Sequence, residues 1–186
     1  MSRGRGQGQR SRQSLLRRLG RNPRWTKVFT ITARLKEVSS VAGELEDFLD
    51  TLKADTQFKE MFINALNEIV MNAYEHGSLK VELEHKGRLV QDDTYQDYLL
   101  KAEKDSSRKI NITLSLNEIS GNEYLMLTVA DEGEGFDTSI LSKCRTECDF
   151  LSLNGCGVQM ARCLTDELFY NRAGNEVTIL KRIVRR

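Results

Sequence analysis

Proline and tryptophan occur once each in 186 residues, histidine twice and cysteine four times. No apolar run is long enough to cross a membrane, and no secretory signal peptide is legible. Cys144, Cys148, Cys156 and Cys163 lack C-x-x-C spacing, and only His76 and His85 could complete a zinc site with them, so structural zinc is not expected. With no secretion signal they read as reduced thiols in a cytoplasm. Cys144 and Cys148, at i and i+4, are either inert or a redox-responsive loop pair. No G-x-x-x-x-G-K-[ST] loop is present, which excludes the P-loop route to ATP, and no G-x-S-x-G elbow appears. The single proline and thirteen glycines do not suggest low complexity beyond the N-terminus. A net charge of +1 excludes a chain that traps nucleic acid through its overall field.

Acid is also missing locally. The first 27 residues hold nine Arg and Lys and no Asp or Glu. The opening RGRGQGQRSRQ cannot bury a core, so residues 1–24 are expected to form a basic disordered arm, with one or two helical turns over SLLRRLG. Such an arm is either a contact for nucleic acid or acidic lipid, or a solubilising tail.

What is present begins with residues 58–77, FKEMFINALNEIVMNAYEHG. Phe62, Ala65, Leu66, Ile69 and Ala73 recur at helical spacing and form one stripe. Glu68, Asn72 and His76 follow at i, i+4 and i+8 along the edge of that stripe. A carboxylate able to take a proton thus stands one turn from an amide oxygen able to bind a hard cation. Taken alone, the pattern is weak, and a partly exposed amphipathic helix accounts for it. Gly77 is expected to end the helix as a left-handed cap.

Around this helix, residues 25–34 alternate as a strand and residues 35–53 read as a helix, with Ser39 and Ser40 as candidate caps. Asp55 or Thr56 can cap the central helix. Residues 78–107 are charged and poor in apolar groups. They read as an insertion with a short helix over 92–104, either a partner surface or a solvated excursion. Residues 109–116 and 123–131 form a hairpin. It ends in ADEGEGFD, where Asp131 can accept from an exocyclic amine such as that of adenine, and Gly133 and Gly135 let the backbone approach a flat ligand. An ordinary acidic turn has the same composition. Residues 138–153 have the weak pattern of a mobile loop. Asn154-Gly155-Cys156-Gly157-Val158 then opens a short helix, an arrangement that aims backbone N–H groups at an anion and also serves as a plain loop-to-helix junction. A closing hairpin turns at Gly174-Asn175.

Three segments therefore stand in order: Glu68-x-x-x-Asn72-x-x-x-His76-Gly77, then Asp131-x-Gly133-x-Gly135-Phe136, then Asn154-Gly155-x-Gly157. This order resembles the GHKL (Bergerat-fold) ATP-binding superfamily. The N-terminal strand and helix, the short length and the NAYEHG wording look most like the anti-sigma factor serine/threonine kinases of the RsbW/SpoIIAB type. The resemblance covers residues 25–184. It implies an α+β fold, a two-layer α/β sandwich with helices on one face of a mixed, mostly antiparallel sheet. It also implies ATP and Mg²⁺ as cofactors, under a lid at 138–154, within one domain over 25–186. By the same resemblance Asn72 coordinates Mg²⁺ and Asp131 binds the adenine amino group. Gly133, Gly135 and Phe136 border that pocket together with His76 and Gly77. Asn154, Gly155, Cys156, Gly157 and Val158 lead into the phosphate-receiving helix. Thr178 joins the nucleotide positions, and Glu68 matches the general base.

The implied activity is phosphorylation of an anti-anti-sigma (STAS-type) partner, with a sigma factor or a second copy of the chain as further partners. Kinases of this type often carry an arginine just before the second glycine pair. Here Leu153-Asn154 stands in that place, and Arg145 or Arg162 are the substitutes within reach. The departure keeps a second reading open, a nucleotide-gated module that sequesters a partner without transferring phosphate. The ATPase part of a sensor histidine kinase ranks last, because no helical phosphoacceptor segment precedes the fold.

Overall fold

A computed structural model describes residues 23–142 and 156–185. Strand β1 (Trp25–Thr32) is followed by α1 (Leu35–Thr51) and α2 (Thr56–Asn72). A wide π turn (Ala73–Ser78) continues α2. Then come α3 (Leu83–Gln91), α4 (Tyr95–Asp105) and the hairpin β2 (Lys109–Ile119) and β3 (Asn122–Asp131). A 3₁₀ turn (Thr138–Ser142), α5 (Cys156–Leu164), β4 (Glu167–Tyr170) and β5 (Glu176–Arg182) complete the order. The five strands form one sheet, β1-β2-β3-β5-β4. Every described pairing is antiparallel, so no parallel pair makes the sheet mixed.

Alternation sorts the sheet into two faces. Ile110, Ile112 and Leu114 of β2, Leu125, Leu127 and Val129 of β3, and Val177 and Ile179 of β5 are buried on one face. They meet the apolar stripe of α2, where Phe62, Ala65, Leu66, Ile69 and Ala73 are all buried as their spacing predicts. Helix α1 adds Val38, Val41, Leu45 and Leu49 to the same core. Trp25 stacks on Phe48 with ring centres 4.0 Å apart, fixing α1 against the first strand. The result is a two-layer α+β sandwich with helices on one face.

Two expected caps differ. Asp55 does cap α2, its Oδ1 accepting from the Phe58 N–H at 2.8 Å. Ser39 and Ser40, however, lie exposed in the second turn of α1. The first N–H of α1, on Leu35, instead donates to Oε1 of Glu103 in α4 at 2.7 Å. The segment 78–107 is likewise no solvated excursion. It forms two helices, α4 close to the expected span and α3 unforeseen, and Leu99 is buried in the core cluster.

Candidate functional site

Helix α2 carries the site along one edge. Glu68 and Asn72 are half-buried, one turn apart, beside the stripe that anchors the helix. Past Asn72 the helix widens, with the Leu79 N–H reaching back five residues to the Tyr74 carbonyl at 3.0 Å. Such wide turns often accompany functional sites. Gly77 sits inside this turn and not at a left-handed cap, because the positive φ falls on Lys80 at 57°. Its lack of a side chain answers a different need. A Cβ there would overlap the Asp131 carboxylate, with Oδ1 only 2.5 Å away.

Asp131 ends β3 on the helix-facing side of the sheet. Its Oδ1 accepts from the Gly133 N–H at 2.7 Å, which folds the chain back over the carboxylate. Gly133 is as crowded as Gly77: a Cβ on it would lie 2.6 Å from both Asp131 Oδ1 and the Gly77 carbonyl oxygen. Arg108 donates to that same Gly77 oxygen at 2.8 Å. Burial pushes the Asp131 carboxyl above its ordinary 3.8, while the Gly133 N–H and the Arg108 charge pull it back. The outcome is a half-buried acceptor flanked by bare backbone, suited to a flat amine-bearing ring.

The loop after Asp131 is moulded by the β4–β5 turn. Gly135 (φ 73°) and Gly174 (φ 83°) interlock, and a Cβ on either would strike the other segment's backbone. The Phe136 N–H donates to the Ala173 carbonyl at 3.1 Å. Asn171 Oδ1 accepts from the Gly174 N–H at 2.7 Å and the Asn175 N–H at 3.2 Å, holding the turn that holds the loop. Tyr170 packs edge-on against Phe136, ring centres 5.0 Å apart. Burial and the neighbouring Asp131 charge push its phenol up to about 12.

The other end lies under α5. A Cβ on Gly157 would overlap Oε2 of Glu68 and come within 3.5 Å of Asn72 Nδ2. That amide nitrogen is buried and has no hydrogen-bond partner among the described residues. The first turn of α5 thus rests on the two polar residues of α2, and a helix N-terminus directs backbone N–H groups outward. An orphaned amide beside a carboxylate and a helix N-terminus fits a Mg²⁺-bound polyphosphate, since Mg²⁺ keeps waters and phosphate oxygens and needs few protein ligands. From Glu68 to Asn72 the helix rises roughly 6 Å at 1.5 Å per residue, before the wide turn carries the chain on to Gly77.

The fold therefore brings Glu68, Asn72, Gly77, Asp131, Gly133, Gly135, Phe136 and Gly157 to one edge of the helix layer. Val158 is half-buried against the core, and Cys156 opens α5. His76 turns its Nδ1 to the Val81 carbonyl at 2.5 Å. Thr178 is not brought to this cluster. It pairs with Thr128, its Oγ1 lying 3.0 Å from that of Thr128, and the alternation that points Val129 and Asp131 to the helices points both threonines away. Asn154, Gly155, Arg145, Leu153, Cys144 and Cys148 lie outside the described residues, as do the basic arm to residue 22 and most of the expected lid. Arg162 donates to the Leu141 carbonyl at 3.2 Å. Arg108, Tyr170 and Asn171 have no counterpart in the sequence reading. Arg108 follows two serines in a polar run, and only Asn171, four residues before Asn175, carries a local turn signal.

Among the described residues no helix is long and apolar enough to cross a membrane, and no cluster of His, Cys, Asp and Glu could hold a metal by itself. No curated protein matches the chain. Among solved structures, the RsbU and RsbW domains of Rv1364c from Mycobacterium tuberculosis are similar at 18% identity and a TM-score of 0.48, over 89% of this chain and 34% of that one. The chain thus spans about a third of the length of that chain. A family model, the histidine kinase-like ATPase domain, matches residues 31–181, which takes in the central helix, the Asp131 loop and Gly157. The chain belongs to that family.

Proposed function

We propose that the protein is an ATP-dependent serine/threonine protein kinase of the anti-sigma type, acting in a cytoplasm on a STAS-type regulatory partner. The observation that carries this reading is the Glu68 carboxylate lying against Gly157 in the first turn of α5, one helical turn from the orphaned Asn72 amide. Bound Mg-ATP would supply the phosphoryl group and neutralise part of its charge. Asp131 accepts from the base, and Gly77 and Gly133 let the backbone close around its carboxylate. Asn72 offers its amide oxygen to the metal. The N-terminus of α5 directs N–H groups at the phosphates. Glu68 stands where it can orient an incoming serine or threonine hydroxyl and take its proton.

A second reading is a nucleotide-gated module that holds its partner without transferring phosphate. One observation favours it: Arg162, a candidate for the absent phosphate-facing arginine, donates instead to the Leu141 carbonyl. Incubation of the protein with γ-labelled ATP, Mg²⁺ and a STAS-type partner separates the two. Label on a partner serine or threonine is the expected result. Partner binding that responds to ATP with no label transferred selects the module.

A further inference from the structure

The wide turn after α2 is held from outside. Tyr74, fully buried, donates its hydroxyl to Glu103 Oε1 at 2.7 Å. Lys86 donates to Glu75 Oε2 at 2.5 Å. Ser106 donates to the Ser78 carbonyl at 3.3 Å and Arg108 to the Gly77 carbonyl at 2.8 Å. Four residues of one turn are thus held by side chains from residues 86–108. The tie through Glu75 is costly to build. Its carboxylate is only 4% exposed, and an unpaired charge at that depth is strongly unfavourable. Lys86 supplies the counter-charge while its ammonium lies 5.3 Å from the centre of the Tyr95 ring. The core packing of this pair is modest, with Tyr95, Tyr98 and Ala102 of α4 only half-buried against the core. None of the described side chains of α3 is fully buried, and α4 buries only Leu99.

We propose that the helical pair α3–α4 is a positioning element for the base end of the nucleotide site. Lys86 and Glu103 act through the wide turn to keep Gly77 seated on the Asp131 carboxylate. This rests on the nucleotide reading above. The chain of contacts is continuous: Lys86 to Glu75, two residues to Gly77, and Gly77 against Asp131 and Gly133. The phosphate end, Glu68 and Asn72, lies before the turn and outside this chain of contacts.

The test uses the full chain, a fluorescent ATP analogue and amide hydrogen exchange. Lys86→Met should weaken analogue binding roughly tenfold, equally in Mg²⁺ and in EDTA, and Lys86→Arg should restore most of it. Exchange should quicken at Leu79, Val81 and Gly133, whose N–H groups bond to Tyr74, Glu75 and Asp131, and stay unchanged between Phe62 and Ile69. Tyr74→Phe, which deletes one hydroxyl, should move the same amides less and serves if Lys86→Met does not fold. A lower melting temperature with unchanged analogue affinity overturns the proposal, and so does a loss confined to Mg²⁺. Wild type without affinity for the analogue overturns the nucleotide reading instead. The exchange measurement then reports only whether the helical pair holds Gly77 against Asp131, and unchanged Gly133 exchange in both variants rejects that as well.

Discussion

Gly157 leaves no space for a methyl group beside Glu68: a Cβ on its Cα would fall on the Oε2 oxygen. The atom it would strike is the free end of a flexible side chain, so alanine there displaces a carboxylate and not the backbone. Alanine is also tolerated in a helix at least as well as glycine. Gly157→Ala should therefore keep its fold and melting temperature while losing phosphoryl transfer by at least about tenfold. Thermal melts run beside transfer assays check both halves, and undiminished transfer would place Glu68 outside the reaction.

Glu68→Gln keeps size and hydrogen-bonding reach but removes basicity. A general base contributes typically about 10²–10⁴-fold in rate. Mg-ATP and partner binding should stay close to wild type while single-turnover transfer falls by about two orders of magnitude. Equal rates in the two proteins would make Glu68 a structural residue.

Asp131→Asn replaces an acceptor-only carboxylate with an amide that can present its N–H₂ to the adenine amine. A charge-assisted hydrogen bond is worth about 1.5–3 kcal/mol, so ATP affinity should fall at least about tenfold with the fold intact. The same residue predicts a pH dependence. Burial raises the Asp131 carboxyl above 3.8, so binding should weaken as pH falls through that raised value, earlier than an exposed aspartate would allow. Its effect on stability has the opposite sign. A carboxyl that holds its proton more tightly when folded destabilises the fold at neutral pH, and that penalty is relieved as acid protonates it. Titrations of affinity and of melting temperature across the acid range should diverge at this residue, and Asp131→Asn should remove the divergence.

Asn72→Ala removes the buried amide whose Nδ2 has no partner among the described residues. If the amide acts through the metal as proposed, affinity for ATP in Mg²⁺ should drop sharply and affinity in EDTA should change little. Equal losses in both buffers would identify Asn72 as packing alone.

Much of this arrangement is legible in the chain because its signals are local. The stripe from Phe62 to Ala73 announces α2, and strict alternation in Lys109–Ile119 announces a strand whose Ile110, Ile112 and Leu114 are buried. The order of the glycine-bearing segments marks the site. What escapes is non-local. The cap of α1 comes from Glu103, 68 residues away, so Ser39 and Ser40 carry a signal that goes unused. Gly77 looks like a helix terminator, yet its reason is the Asp131 carboxylate, 54 positions on and invisible to any window around it. Thr178 falls on the far face because a strand's parity is set by its pairing with β3, which the strand's own residues do not state. Helix α3 contains a glycine and few apolar residues, and is held by an ion pair to Glu75.

The turn at Ala73–Ser78 also fixes a phase. A wide turn inside a helix amounts to one residue more than the α-helical path requires. It rotates everything after it by roughly 100° relative to an unbroken helix. Glu68 and Asn72 lie before that offset and Gly77 within it, so the seat of Gly77 on the Asp131 carboxylate depends on the extra residue. Removing a single residue from 73–76 would let the helix run on regularly and would swing Gly77 off Asp131 by about a quarter-turn. Glu68 and Asn72 would stay where they are. Gly157 would keep its seat on Glu68 while Gly77 lost its seat on Asp131.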